Sequence, residues 1–310
     1  MSARVTVAIS AVTILAVIIS IFALLTMKQP SPQTKGLTIL ATFYPIYNFA
    51  SNIAGDRANV SILVPEMVDV HNFDPTPSDI QKVATADILI YNGAGLEPWI
   101  PRLLAAIDRS ALTVVDTSQG VDLLPVPPEF QRQGRSVDPH FWLDPTQAKR
   151  QVENIAEALM KVDPANSAYY RSNANAYEAK LDALDSQIAD QIKRANTRYF
   201  VTFHEAFAYF ARRYNLTQIP VQGPFEEEPT PSDIQSVVFA VKQYHLSYVG
   251  YESLENTAIP EAISSQTNAA LILMNPIEGL TSADLAAGRD YIALMQEDAE
   301  NITVALNNAG

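Results

Sequence analysis

Seven consecutive residues, Pro-Thr-Pro-Ser-Asp-Ile-Gln, occur twice in the chain, at 75–81 and again at 229–235. In each copy the threonine can cap a helix, a proline takes the first helical position, and an aspartate follows three residues after the cap. Each copy leads into a helical pattern and then into an apolar, strand-like run. The repeat therefore favours two related lobes that descend from one unit. The alternative is that two helices acquired the same cap independently.

Strand-like and helix-like segments alternate on both sides of the middle of the chain. The strand-like runs are continuously apolar and helices separate them, which is typical of parallel sheets covered on both faces. The sequence thus predicts an α/β fold. The predicted strands are 37–42, 59–64, 87–91, 199–202, 247–251 and 270–274, and the predicted helices are 45–54, 78–85, 206–214 and 259–267.

The middle of the chain contains one long helical pattern. Residues 165–194 include neither Gly nor Pro, and apolar or aromatic residues recur among them at helical spacing. A helix of this length would extend ~45 Å at 1.5 Å per residue, enough to join two lobes. We therefore predict two lobes with parallel sheets joined by one long helix. The boundaries expected are an N-terminal α/β lobe at 37–163, the linking helix at 164–195 and a C-terminal α/β lobe at 196–310.

The amino terminus carries an uncharged, apolar stretch at residues 5–27, bounded by Arg4 and Lys28. As a helix it would span ~35 Å, which exceeds a bilayer core of ~30 Å. We predict that residues 1–27 are an uncleaved signal-anchor and that the polar, proline-bearing residues 28–36 are a linker. The alternative is a cleaved signal peptide, whose apolar region is usually only ~7–15 residues long. Both interpretations place the rest of the chain outside the cytoplasm, in the periplasm or at the cell surface.

Charge and cysteine content exclude several classes of function. The first 35 residues contain three basic and no acidic side chains, so the other 275, with 18 basic and 34 acidic, carry a net charge of −16. A surface this acidic repels a phosphate backbone, which argues against nucleic-acid binding. The chain contains no cysteine. This excludes disulfides, thiolate metal sites, thiol nucleophiles and a lipid on an N-terminal cysteine.

The four histidines are the most informative side chains. His71, His140 and His204 each lie near an acidic residue in a predicted loop or at the end of a predicted strand. A histidine that binds a metal usually donates its other ring N–H to a carboxylate or carbonyl, so this placement is compatible with a shared metal site. The residues alone leave metal binding and separate structural roles both open. His245, near the end of an amphipathic helix, is interpreted as structural, because a cation there can satisfy the last carbonyls.

At these residues the sequence resembles the zinc- and manganese-type solute-binding proteins of bacterial ABC importers, the ZnuA-like and TroA-like receptors. The resemblance implies two α/β lobes joined by one long helix, with a metal ion held in the cleft between them by His71, His140, His204 and a late acidic residue, best matched by Glu278. The similar segments run in family order along the chain, at 42–45, 63–65, 71–77, 91–99, 138–145, 202–207 and 275–280.

The ligand set implied by the resemblance favours zinc. Three imidazoles and one carboxylate suit Zn²⁺ better than Mn²⁺, and manganese-type members commonly place a glutamate where this chain has His204. One absence slightly weakens the assignment of zinc. Many zinc-type members carry a histidine-rich loop, whereas residues 121–137 of this chain contain no histidine. Zn²⁺ is the predicted ion, with a manganese or iron receptor as the alternative. Asp69, Asp138 or Asp144 could balance the remaining positive charge.

The resemblance further implies a monomeric, high-affinity receptor, not an enzyme, that delivers its ion to a membrane permease and an ATPase encoded elsewhere. The rival hypothesis is a zinc hydrolase with Glu205 or Glu252 as general base, but four protein ligands would close the metal sphere and no His-Glu-x-x-His motif is present. Adhesion to host surfaces is compatible with the same architecture. The acidic run at 226–228 is interpreted as favourable charge ahead of a helix, with permease docking as the alternative.

Overall fold

The computed structural model of the protein describes residues 36–65, 67–128, 131, 135–225 and 227–308. The predicted signal-anchor at 1–27 and the predicted linker, apart from Gly36, lie outside these residues. Within the described part of the chain, no helix combines the length and the apolar character that crossing a bilayer requires.

The first half of the described chain builds a four-stranded parallel sheet in the order β2-β1-β3-β4. Three of its strands were predicted to within two residues at either end, whereas β4 was not predicted. The strands are β1 (Leu37–Ala41), β2 (Ala58–Ile62), β3 (Ile88–Tyr91) and β4 (Thr113–Asp116), and the helices that connect them are α1 (Tyr44–Ala54), α2 (Pro77–Thr85) and α3 (Ile100–Ala105).

After β4, two long helices, α4 (Pro145–Val162) and α5 (Ser167–Ile192), pack against each other. α5 is the predicted long helix, shorter by two residues at each end. It buries one stripe of seven side chains: Tyr170, Ala174, Tyr177, Leu181, Leu184, Ile188 and Ile192.

The second half contributes two parallel strand pairs, β5 with β6 and β7 with β8. β5 and β7 run close together because β7 contains Gly250: a Cβ atom at this position would lie only 2.6 Å from the carbonyl oxygen of Val201. The strands are β5 (Tyr199–His204), β6 (Thr217–Gln222), β7 (Tyr248–Tyr251) and β8 (Ala270–Leu273), and the helices are α6 (Ala208–Tyr214), α7 (Pro231–Gln243), α8 (Ala258–Thr267), α9 (Ser282–Ala287) and α10 (Tyr291–Asn307).

The α/β class, the parallel sheets and the long helix are thus confirmed. The larger apolar core cluster includes side chains of α1, β3, α4, α5 and α10, and a smaller cluster lies around β5, β7, α7 and α8. The lobe boundaries at 163–164 and 195–196 stay a prediction.

Both copies of the repeat begin a helix through the same capping box. The Thr76 side chain accepts a hydrogen bond from the Asp79 backbone N–H, and Asp79 accepts one from the Thr76 N–H in return. Thr230 and Asp233 form the same pair at the start of α7. The predicted caps are therefore confirmed. A third capping box starts α9 outside the repeat, so the local cap arises in this chain without the seven-residue sequence as well.

Candidate metal centre

His71 lies in the irregular segment between β2 and α2. Its backbone N–H donates to Asp69 Oδ1 over 2.7 Å, which fixes the turn that carries the ring. The side chain is fully buried, yet neither ring nitrogen has a hydrogen-bond partner among the described residues. Burying a polar ring without partners costs free energy. The unpaired nitrogens therefore indicate that a bound species completes the environment of His71.

His140 lies between β4 and α4, immediately before a short 3-10 turn at Phe141–Leu143. Asp138 holds it through two hydrogen bonds to the same oxygen. The His140 backbone N–H lies 2.9 Å from Asp138 Oδ1, and the ring Nδ1 lies 2.7 Å from it. The carboxylate can only accept, so Nδ1 carries the proton and Nε2 of the neutral ring is left as a free lone pair.

His204 is the last residue of β5, at the carboxyl edge of its strand pair. Glu252, one residue past the end of β7, holds it in the way that Asp138 holds His140. The distances to Glu252 Oε1 are 3.1 Å from the backbone nitrogen and 2.7 Å from Nδ1. Glu252 is one of the two candidate bases of the rival hydrolase. The structure instead places it against His204, where it fixes the tautomer that leaves Nε2 available.

Glu278 lies in the segment between β8 and α9. Asp298 of α10 accepts from the Asn275 backbone N–H over 2.7 Å, and the Asn275 side chain accepts from the Ile277 N–H over 2.8 Å. Ile277 has a φ of 62°, a conformation that costs about 1–3 kcal/mol for such a residue. The indole N–H of Trp142 donates to the Pro276 carbonyl over 2.7 Å. These contacts hold the strained turn in place and direct the Glu278 carboxylate toward the histidines.

The structure brings together all four of the residues singled out as ligands. One donor atom from each lies within 4.8 Å of the other three. Glu278 Oε1 is 3.2 Å from His140 Nε2, 3.5 Å from His71 Nε2 and 3.6 Å from His204 Nε2. The Nε2 atoms of His140 and His204 lie 3.3 Å apart. A tetrahedral zinc ion with bonds of about 2.0–2.2 Å holds its ligand atoms about 3.3–3.6 Å apart. Four of the six donor separations are therefore close to those expected at a tetrahedral site.

Protonation is the alternative to a cation in this cluster. Burial alone would lower the pKa of His204, but the Glu252 carboxylate and Glu278 outweigh it and raise the pKa well above its usual value. The pKa of His140 is also raised, because Asp138 and Glu278 outweigh its burial. Burial acts to raise the pKa of Glu278, but the neighbouring imidazoles hold it well below its usual range. Protons and a metal ion thus compete for the same nitrogens.

The remaining acids and the fourth histidine lie outside this group of ligands. Asp144 accepts from the Thr146 N–H and caps α4. Glu205 lines a separate pocket that also includes Asp138. His245 is exposed and follows α7 with a φ of 52°, and the next backbone N–H, that of Leu246, bonds to the Val241 carbonyl. The structure thus places His245 in the left-handed turn that ends α7, and the effect of its charge on the last carbonyls stays a prediction.

The residues that support the ligands could not be identified from the sequence. Trp142 and Asp298 contact the backbone of distant segments, so no local pattern reveals them, and Asn275 holds the Ile277 N–H two residues further on. Trp99 belongs with them, since its indole N–H donates to the Val70 carbonyl beside His71 over 3.1 Å. Both tryptophans of the chain therefore fasten a segment that carries a ligand.

The chain is similar to known zinc-uptake proteins. Residues 39–305 match the family described as zinc-uptake complex component A, periplasmic (ZnuA). The high-affinity zinc uptake system protein ZnuA of Bacillus subtilis (strain 168) is 30% identical over 287 residues, which are 89% of this chain and 90% of that protein.

Two further similarities involve one protein of Streptococcus pneumoniae. The zinc-binding lipoprotein AdcA of serotype 4 is 30% identical over 306 residues, or 96% of this chain, and the match spans 61% of AdcA. The crystal structure of the Zn(II)-bound ZnuA-like domain of Streptococcus pneumoniae AdcA superposes with a TM-score of 0.76 at 30% identity, covering 88% of this chain and 100% of that domain.

Proposed function

The chain belongs to the ZnuA family of zinc-uptake components, and from this premise we propose that it is an extracytoplasmic receptor that binds Zn²⁺ and delivers it to an ABC-type permease. The ligands are His71, His140, His204 and Glu278. The observation that carries the proposal is the set of 3.2–3.6 Å separations among their donor atoms. Four segments far apart in sequence supply these atoms, and the hydrogen bonds described above hold each segment in position.

Zinc is the cargo that this set of donors favours. Three neutral imidazoles and one carboxylate form a four-coordinate, borderline-soft site, whereas Mn²⁺ prefers more oxygen ligands. The ion and the carboxylate together carry one net positive charge. Asp138 and Glu252, each bonded to a ligand histidine, offset that charge. Manganese or iron is the alternative cargo.

The site supports binding and release rather than catalysis. A catalytic zinc ion keeps a position open for water, but here four protein residues each offer a donor atom, and these atoms lie within 4.8 Å of one another. Glu252, the candidate base of a hydrolase, is bonded to His204. The rival hydrolase function is therefore disfavoured.

Delivery requires partners outside this chain. A permease would take the ion and an ATPase would drive transport, while the receptor acts as a monomer held near the membrane by residues 5–27. The acidic body would raise the local concentration of cations modestly. Glu228, from the acidic run at 226–228, is exposed just ahead of the Thr230 cap, where its charge favours the helix.

Metal analysis tests this function. The purified protein is incubated with equimolar Zn²⁺, Mn²⁺ and Fe²⁺, passed through a desalting column and analysed by mass spectrometry. We expect about one zinc per chain, lost in His204→Ala and kept in His245→Ala, the exposed histidine outside the site. Manganese retained by both the wild type and His204→Ala would refute the assignment of the ion and of the ligand.

A further inference from the structure

The four ligands differ in their access to solvent. The side chains of His71, His140 and His204 are fully buried, whereas the Glu278 side chain keeps 10% of its surface exposed. An ion that enters or leaves must pass a ligand that solvent can reach. Among the described residues, Glu278 is the ligand that meets this condition.

Glu278 opens onto a pocket with a volume of about 120 Å³. Three segments line this entrance pocket: residues 67–69 ahead of His71, residues 252–255 after β7, and Asn275, Pro276 and Glu278. The Glu278 Oε1 atom is buried and has no hydrogen-bond partner among the described residues. This oxygen faces the three Nε2 atoms, so the pocket reaches the outer side of a ligand whose inner oxygen faces the metal position.

The entrance pocket is strongly acidic. Besides Glu278, it is lined by Asp69, Glu252 and Glu255, and by no basic residue among the described ones. Asp69 and Glu252 already hold the backbones of His71 and His204. Among the described residues Glu255 forms no hydrogen bond with a ligand histidine. Burial, together with the charges of Glu252, Asp69 and Glu278, raises the pKa of its carboxyl. Glu255 is thus an acid at the mouth of the site that the binding geometry alone does not require.

A second pocket near the site does not provide a route. It has a volume of about 210 Å³ and reaches Asp138 and Glu205. Asp138 bonds to His140 Nδ1, so an ion there would meet the protonated nitrogen and not the lone pair of Nε2. The exposed side chains of Met67 and Val68, at 62% and 41%, instead rim the entrance pocket.

We infer that the ion exchanges through the entrance pocket and that Glu255 steers divalent cations onto Glu278, which passes them to the three imidazoles. This inference rests on the proposed zinc binding. Glu255 acts on the rate of association, because its charge attracts the ion along the path, while the four ligands determine how tightly the bound ion is held. A charge at the mouth of a cleft accelerates association in a way that salt screens.

Stopped-flow mixing of the metal-free full chain with Zn²⁺ tests the inference, read by the fluorescence of Trp142, whose ring lies 5.1 Å from that of His140. We expect Glu255→Gln to lower the association rate constant about three- to tenfold in low salt. The difference should shrink at about 1 M salt, where the Debye length is about 3 Å. Glu157→Gln, which removes the same charge from an exposed position on α4, should associate like the wild type.

A second variant tests the path by narrowing the entrance pocket. Leu254→Trp enlarges a side chain that lines the pocket, and we expect it to slow association and dissociation by the same factor, with the dissociation constant unchanged. The inference is overturned if both Glu255→Gln and Leu254→Trp exchange zinc at wild-type rates, or if Glu255→Gln changes dissociation alone. A wild-type chain that fails to bind zinc would instead refute the proposed function, before any rate is compared.

Discussion

Glu252 accepts two hydrogen bonds from His204, one from the ring Nδ1 over 2.7 Å and one from the backbone nitrogen over 3.1 Å. The pair is 48 residues apart, yet it determines both the orientation and the tautomer of the imidazole. Asp138, two residues before His140 in the sequence, accepts the same two hydrogen bonds from it. Two of the three ligand histidines are thus oriented with Nε2 toward the metal position before an ion binds, and the ion has only to displace the proton that competes for that nitrogen.

Replacing Glu252 should therefore weaken zinc binding without removing a ligand. In Glu252→Gln the His204 ring still has a hydrogen-bond acceptor, but the negative charge that makes the imidazole more basic is removed. We expect the dissociation constant for zinc to rise about 10- to 100-fold. Competition with a chelator of known affinity measures it. Glu300→Gln, at an exposed position on α10, is the matched control. Equal affinity for zinc in both variants would show that the carboxylate has no role in binding.

The sequence predicts the fold well where elements are apolar and continuous. β1, β3, β5, β7 and β8 and the helices α1, α2, α6 and α8 were predicted to within two residues, because largely apolar strands alternate there with turn signals and helical spacing. The helices α3, α4, α9 and α10 were not predicted. β4 and β6 were missed. Thr-Val-Val-Asp in β4 is too short to stand out, and β6 contains Pro220, which is tolerated because β6 pairs with β5 alone among the described strands.

The candidate site was predicted unevenly. The family resemblance singled out the four ligands, because histidines beside prolines and acids mark them in the sequence. The roles of Glu252, Trp142 and Asp298 could not be read in this way, since each depends on a partner that only the folded chain brings near. From the sequence Glu252 is only one of two candidate bases of the rival hydrolase, and its bond to His204 depends on the fold.

The two tryptophans should each secure one part of the site. Trp99 bonds to the Val70 carbonyl beside His71, and Trp142 bonds to the Pro276 carbonyl near Glu278. Replacing either with phenylalanine leaves a buried carbonyl unpaired, which costs about 1–3 kcal/mol of unfolding free energy. We expect the dissociation of zinc to accelerate in both variants.

The control for the tryptophan variants is Tyr170→Phe. It removes the hydrogen bond that Tyr170 makes to Asp163 over 2.8 Å near the start of α5. This variant should lower the unfolding free energy in chemical denaturation but leave the dissociation rate of zinc unchanged. If all three variants released zinc at the same rate, the indole contacts would matter for stability alone.

The repeated caps allow a direct comparison of two equivalent positions. Thr76→Ala and Thr230→Ala each remove the side-chain acceptor of a capping box, and each should lower the unfolding free energy by about 1 kcal/mol. The serine variants at these positions keep the hydroxyl and should stay close to the wild type. Urea denaturation measures the difference. Alanine variants as stable as the serine ones would mean that the boxes contribute nothing measurable.

The pKa directions in the site predict opposite pH dependence for the metal-free and the zinc-loaded protein. The pKa values of His140 and His204 are raised in the folded state, so their contribution to stability is complete below the usual histidine pKa of about 6.5 and is lost as the pH rises through the folded values. The pKa of Glu278 is lowered, so its contribution is present above the usual value of about 4.3 and is lost as the pH falls through the folded value.

The metal-free cluster should therefore stabilise the fold most between pH ~4.3 and ~6.5, whereas zinc must displace protons and should stabilise it more as the pH rises. Thermal unfolding with a chelator and with excess zinc, from pH 5 to pH 8, measures both. Subtracting the two melting temperatures at each pH removes the contribution of distant groups, and we expect the difference to widen with pH. In His204→Ala the widening should be smaller. A difference that is constant across this range would mean that zinc binding releases no protons and that the imidazoles are not its ligands.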